Sequence, residues 1–226
     1  MQSAVGKASN GDTLLFPEST FVFGAGVSVE GGKSLGLWGA GLSESGQPLT
    51  VLEKSDACRF FNFAGDGGGG SGIRSIAFNG KERTFRGDGG AIYCNSSFIG
   101  DILNSSFAGN SAGGNGGAIC CYFGSFTGDI QSSSFAGNGA GGIGGAIRCS
   151  GFTGDILSSS FAGNGAGWNG GAINCNGNFT GAVQSSSFVD NYSVSGWGGA
   201  IRCGSFTGKD DAFADLGGSR FLQNYA

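Results

Sequence analysis

The chain has 226 residues, 50 of them Gly and 20 Phe, with 12 basic and 16 acidic side chains, two Pro and no His. An apolar fraction of 39% excludes a disordered polymer, glycine without proline excludes collagen, and a net charge of −4 with scattered basic residues excludes the electrostatic footprint of a nucleic-acid binder. No apolar run is long enough to cross a membrane as a helix, and MQSAVGKASNGDTLLF lacks the basic and long apolar regions of a secretory signal, so export is expected to use something outside this chain, or the chain to be a processed or partial product.

In chain order, residues 1–88 come first. NGDTLLFPESTFVFGAGVSVEGGKSLGLWGAGL and LTVLEK alternate apolar and polar residues between glycine turns, which predicts short strands in coils of about 22 residues and no helix. GGKS at 31–34 lacks the earlier glycine of a phosphate loop, because Val27 holds that place, and GDGGGGSGI at 65–73 lacks the Asp of calcium-binding nonapeptides.

From Gly89 the chain repeats. GGAI tetrads begin at Gly89, Gly116, Gly144, Gly170 and Gly198, so the unit recurs about every 27 residues with a drift of one either way. Two residues after each Ile stands a cysteine: Cys94, Cys121, Cys149, Cys175 and Cys203. FIGDI, FTGDI, FTGDI, FTGAV and FTGKD follow, opening at Phe98, Phe126, Phe152, Phe179 and Phe206. F-x-x-N closes each unit at Phe107/Asn110, Phe135/Asn138, Phe161/Asn164, Phe188/Asn191 and Phe221/Asn224. In the last unit Leu216 takes the place of Ile102, Ile130, Ile156 and Val183, five residues before the Phe, so about six residues near GKDDAF form an inserted loop.

A period of this length means a solenoid, a propeller or an array, and it is too short for a propeller blade. Ile and Cys stand two apart and so share a strand face, with Tyr93, Cys120, Arg148, Asn174 and Arg202 between them predicted on the wet side. Glycine at this density penalises helix. The chain therefore reads as all-β, a right-handed parallel β-helix of the pectin-lyase-like solenoid type with about 27 residues per coil, the hand taken from the general crossover preference. It is expected to form one continuous domain, with irregular coils over 1–88 and five GGAI/FxxN coils over 89–226. Columns of Phe, Ile/Val and Cys should fill its interior, and the Asn column should bond along the axis. The chain stops at FLQNYA, short of another GGAI, and a solenoid needs its last coil covered, so further chain or another subunit is expected over the ends.

Interleaved GGAI and FxxN tetrads in a β-helix resemble the polymorphic outer-membrane protein repeats of chlamydial surface autotransporters, over roughly Gly89 to Asn224. The resemblance implies a surface-exposed passenger domain acting in adhesion and host contact, carried out by a translocating C-terminal barrel.

The chemistry-bearing columns each have a bland reading. The stacked cysteines, with Cys58 and Cys120 elsewhere, suit disulfides or small core hydrophobes better than metal, since there is neither CxxC nor His. Asp101, Asp129, Asp155 and Asp215, interrupted by Ala182, should either splay into water or hold a cation between them. Ser132–Ser134, Ser158–Ser160 and Ser185–Ser187 are a pale version of an ice-binding face. Asn95, Asn104, Asn178 and Asn191 open N-x-[ST] sequons.

Against this repetition four side chains stand out as partner or glycan contacts: Trp168 and Trp197 in the glycine turns, and Arg148 and Arg202 two coils apart on one outward face. No catalytic residue, cofactor or metal site is assigned, because no nucleophile with a base can be named in a chain without His. The reading that follows is a non-enzymatic extracellular or cell-surface module, adhesin-like or a structural scaffold, whose partner is a receptor, a glycan or another structural subunit, with no nucleic acid. A polysaccharide lyase or hydrolase is the alternative, and an ice-binding solenoid the third.

Overall fold

The computed structural model describes residues 1–63, 70–207 and 220–224. The described chain is all-β apart from one short helix, and its strands stack as a parallel β-solenoid of roughly 28 residues per turn. Sheet I has seven strands, from Thr13–Leu15 to Val183–Gln184, and sheet II has eight, from Ser19–Phe23 to Arg220–Leu222. Sheet III has seven, from Val27–Val29 to Ile201–Arg202, and sheet IV has five, from Thr84–Phe85 to Tyr192–Ser193. Sheets I, II and III run without interruption from the N-terminal coils through the repeats.

Register puts like on like. Ile92 pairs with Ile119, Ile119 with Ile147, Ile147 with Ile173 and Ile173 with Ile201 in sheet III. Phe107, Phe135, Phe161, Phe188 and Phe221 stack in sheet II, with neighbouring rings 4.7–4.8 Å apart and tilted by 1–3°. A second phenylalanine column, Phe98 to Phe206, stacks at 4.5–5.0 Å. These separations are the strand spacing itself, so each ring lies on the next without leaving its rotamer. Two aliphatic columns complete the core, the GGAI isoleucines and Ile102, Ile130, Ile156 and Val183, all fully buried as far as Val183. Each such side chain contributes about 1.5–3 kcal/mol by burial.

The glycine pair of each tetrad has two separate jobs. Gly116 sits at φ +63°, a left-handed corner. A Cβ on Gly117 would overlap the carbonyl oxygen of Gly145 in the next coil. The opposite corner uses serine. Asn104, Ser132, Ser158 and Ser185 hold φ of 48–50°, and the residue after each is a buried serine. The Ser133 hydroxyl donates to the Gln131 carbonyl at 2.8 Å and accepts from the Ser105 amide at 3.1 Å, and Ser159 repeats the pattern one coil on. The Ser-Ser-Ser runs are therefore corners with their middle hydroxyl inside, and not the flat outward face that ice binding would need.

The Asn column forms the expected ladder. Asn110, Asn138, Asn164 and Asn191 each donate Nδ2 and the backbone N–H to Oδ1 of the next Asn, at 2.8–3.1 Å, ending on Asn224. Nδ2 also donates back to a carbonyl of the preceding coil, as from Asn164 to Phe135 at 2.9 Å. Asn110 heads the ladder, and its Oδ1 is buried with no donor. Asn191, read as a sequon, lies fully buried within this ladder.

Two expectations for the N-terminal coils need correction. Their length is neither uniform nor always short. Thr13 stacks on Gly36, a step close to the one expected, but Ser19 stacks on Thr50 and Val27 on Phe61, both well beyond it. Excursions lengthen these coils, one of them closed by the antiparallel bridge Leu42 to Pro48. A helix, Gln2–Lys7, also exists where none was expected. It covers the first coil: Val5 is buried, and the Gln2 side chain imitates a strand, donating Nε2 to the Ser28 carbonyl (2.8 Å) and accepting from the Ser28 amide (3.0 Å). In the last unit Phe221 pairs with Phe188, in the register expected, while Leu216, the GKDDAF loop and positions 65–69 of the glycine run lie outside the described residues.

Candidate functional site

Most repeated polar side chains are committed to coil-to-coil bonds. Asp101 Oδ1 accepts the Asp129 amide at 2.9 Å, Asp129 Oδ1 the Asp155 amide at 2.8 Å, and Asp155 Oδ1 the Ala182 amide at 2.9 Å. Each of these carboxylates thus receives an N–H from the next coil on one oxygen, a role that the spacing did not reveal. Ala182 ends the run: it still donates its amide but offers no carboxylate. Asp215, the fourth carboxylate assigned to this column, lies outside the described residues.

All seven cysteines are free thiols, and six are buried. Cys94 hydrogen-bonds Cys121, which together with burial holds the Cys121 thiol well above its ordinary value. Burial, then a hydrogen bond with Cys175, raises Cys149, and that same bond lowers Cys175. Cys121 and Cys149, enclosed and raised in this way, make core contacts and are poor nucleophiles.

The outer column of sheet III has a different character. Here the residue between Ile and Cys changes in every coil: Tyr93, Cys120, Arg148, Asn174, Arg202. The sequence placed all five on the wet side, and two of them are not there, since Cys120 is fully buried and Asn174 is 1% exposed. The large neighbours in the column are the reason. Arg148 bends back along the sheet and donates Nη1 to the carbonyls of Cys121 (2.9 Å) and Tyr122, with its guanidinium 5.1 Å above the Tyr122 ring. Tyr122 lies 6.3 Å from Tyr93, and Arg59 is held between Tyr93 and Phe85, at 4.7 and 4.5 Å from their rings. Beneath this roof burial, and then the nearby Asp88 charge, push the Cys120 thiol up to about 12. Asn174 is enclosed between the two arginine positions and donates Nδ2 to Asn176 Oδ1 at 2.8 Å.

Of the four predicted contact residues, register thus brings Arg148 and Arg202 into one column with Asn174 between them. Trp168 and Trp197 occupy the glycine corner between sheets IV and III, 61% and 74% exposed, in adjacent coils, and the Trp197 amide is tied to Asn169 Oδ1 at 2.8 Å. The tryptophans precede the strand that carries the arginines and share no described contact with them. Sequence reasoning missed Tyr122 and Phe123, the latter 74% exposed and edge-on to Tyr122 at 4.6 Å. Their signal was a length difference: CYFGSF joins Cys121 to Phe126, where CSGF suffices from Cys149 to Phe152.

The family model described as the Chlamydia polymorphic membrane protein (Chlamydia_PMP) repeat matches residues 104–122. That stretch starts at the left-handed Asn104 corner, takes in the ladder head at Asn110 and ends just beyond the second GGAI tetrad, so one FxxN and one GGAI fall within it. This stretch is therefore similar to a repeat of the polymorphic outer-membrane protein type. No curated protein and no solved structure matches the chain. Among the described residues no helix is long and apolar enough to cross a membrane.

Proposed function

We propose that this chain is a non-enzymatic module of a cell surface, an adhesin-like or scaffolding rod that holds a partner on its sides. The observation that carries this reading is the use of the repeated polar groups. Asn, Ser and Asp columns bond one coil to the next, while side chains that break the repeat reach the surface, Trp168, Trp197 and Phe123 well exposed and Arg148 and Arg202 partly so. A catalytic site in this fold would need carboxylates free to move protons at a bond, whereas Asp101, Asp129 and Asp155 each accept a backbone N–H. The polymorphic membrane protein repeat supports the surface setting.

The test is attachment. Purified protein coupled to beads should adhere to cultured epithelial cells, and Trp168→Ala/Trp197→Ala should weaken adhesion while the melting temperature stays put. A polysaccharide depolymerisation screen accompanies it: turnover abolished by Arg148→Ala or Arg202→Ala would replace this reading with an enzymatic one.

A further inference from the structure

Resting on that surface-module reading, we propose that the outer face of sheet III around Tyr122, Phe123, Arg148, Asn176 and Arg202 binds an acidic polysaccharide, one carrying a carboxylate on every second sugar. Between residues 89 and 207 the chain has only two basic side chains, Arg148 and Arg202, against the four carboxylates Asp101, Asp129, Asp155 and Asp190. Both arginines fall in one outward column. The acidic column caps amides at the entry to sheet I, so charge is separated around the rod. Among the described residues neither arginine forms an ion pair; the pair described is Lys81 to Glu53 at 2.9 Å. Arg59, further along the same face, has the carboxylate of Asp88 near it.

The geometry fits a linear anionic chain lying along the solenoid axis. Arg148 and Arg202 are two strand steps apart, about 10 Å. A pyranose ring in an extended chain is about as long as one strand step, so alternate sugars of a chain lying along the axis recur at the spacing of the two arginine positions in the column. Arg148 is already fixed by its bonds to the Cys121 and Tyr122 carbonyls, so little order is lost when a carboxylate joins it. Its Nε is buried without a partner. Asn176 is exposed and its Oδ1 is held by Asn174, which turns its amide donors toward the hydroxyls of the sugar between. Phe123 gives a flat apolar surface for a ring C–H face. Charge alone would serve an acidic peptide as well; the aromatic surface and the regular two-step spacing favour the sugar.

The experiment is calorimetric titration of the purified protein with a hyaluronan oligosaccharide at low salt. Binding is expected, weakening as ionic strength rises. Arg202→Gln, which breaks no described hydrogen bond, should cost roughly tenfold in affinity, and Arg148→Gln/Arg202→Gln more. Phe123→Ala should weaken binding without changing its salt dependence, and carboxyl-reduced hyaluronan should not bind. Where Arg148→Gln fails to fold, Arg202→Gln and Arg202→Glu carry the test. No binding by the wild type, equal binding of the carboxyl-reduced polymer, preference for poly-glutamate, or an unchanged Arg202→Gln each overturns the proposal. Cell attachment that persists in a protein that does not bind hyaluronan would overturn this inference and leave the surface-module reading standing, and the converse result would do the opposite.

Discussion

The N-terminal coils and the repeat coils solve the same packing problem with different means. In the repeats, one residue type fills one position in every coil, so rings stack within 3° of parallel in sheet II and the corners are saturated by ladders of identical side chains. In the N-terminal coils, unlike residues meet. Phe16 packs edge-on to Phe21, Phe23 to Phe60, and Phe60 to Phe78, at 72–79°. Single-use devices replace the ladders: the Gln2 cap, and a buried Lys54 whose ammonium donates to the Gly90 carbonyl at 2.5 Å, at the first GGAI tetrad. Repetition makes each contact easy to extend, because a fitted coil fits its copy; irregularity gives closure and a start. The seam between the two styles is visible as the orphaned Oδ1 of Asn110.

The largest effect expected of a substitution at neutral pH comes from glycine. Gly117→Ala would drive a Cβ into the Gly145 and Gly139 backbones, and should cost about 3 kcal/mol or more, enough to abolish folding of a marginal chain. Gly6→Ala in the capping helix meets nothing within 4 Å and should stabilise slightly, by about 0.5–1 kcal/mol. Urea unfolding followed by circular dichroism measures both, and equal effects would erase the distinction drawn between the regions.

Alkaline titration sharpens it further, because one buried group in each region, Cys120 and Lys54, responds with opposite sign. Cys120 in the repeats has its folded pKa raised from 9.0 to about 12, so the folded state binds more protons over that span. Its contribution is fully present below pH 9 and is lost as pH climbs to 12, a loss of roughly 4 kcal/mol that Cys120→Ala should not show. Lys54 in the N-terminal coils is lowered from 10.5 to about 8, chiefly by burial. The unfolded state then binds more protons between about 8 and 10.5, and stability from this group rises with pH across that window. Lys54→Met removes the rise, so its stability advantage over the wild type should shrink by roughly 3 kcal/mol between pH 8 and 10.5. Midpoints of urea unfolding across pH 7–12 would reveal either slope.

The smallest contrast tests the seam. Asn164→Ala removes an acceptor for two Asn138 donors and a donor to both Phe135 and Asn191, and should cost about 3 kcal/mol. Asn110→Ala removes only the two bonds from Nδ2 and takes away a buried acceptor that has no donor, so it should cost about 1 kcal/mol. Equal losses would mean that the ladder continues past Asn110 into the earlier coils.

What could be read from the chain alone follows from translation. A residue that recurs at a near-constant interval must lie on its own copy once coils stack, so the Phe, Ile, Cys and Asn columns, and the pairing of Arg148 with Arg202 across Asn174, were all legible as spacing. Everything that depends on an unlike neighbour was not. The Gln2–Lys7 helix has too few residues for a period and is held by Ser28, 26 residues further along the chain. The role of Asp129 depends on the Asp155 amide one coil on, and the burial of Cys120 on neighbours from other coils, Arg148 and Arg59 among them. Periodicity fixes which residues repeat along the axis; only the closed coil decides what roofs them, because side-chain direction and length act across the sheet, where the sequence has no period to report.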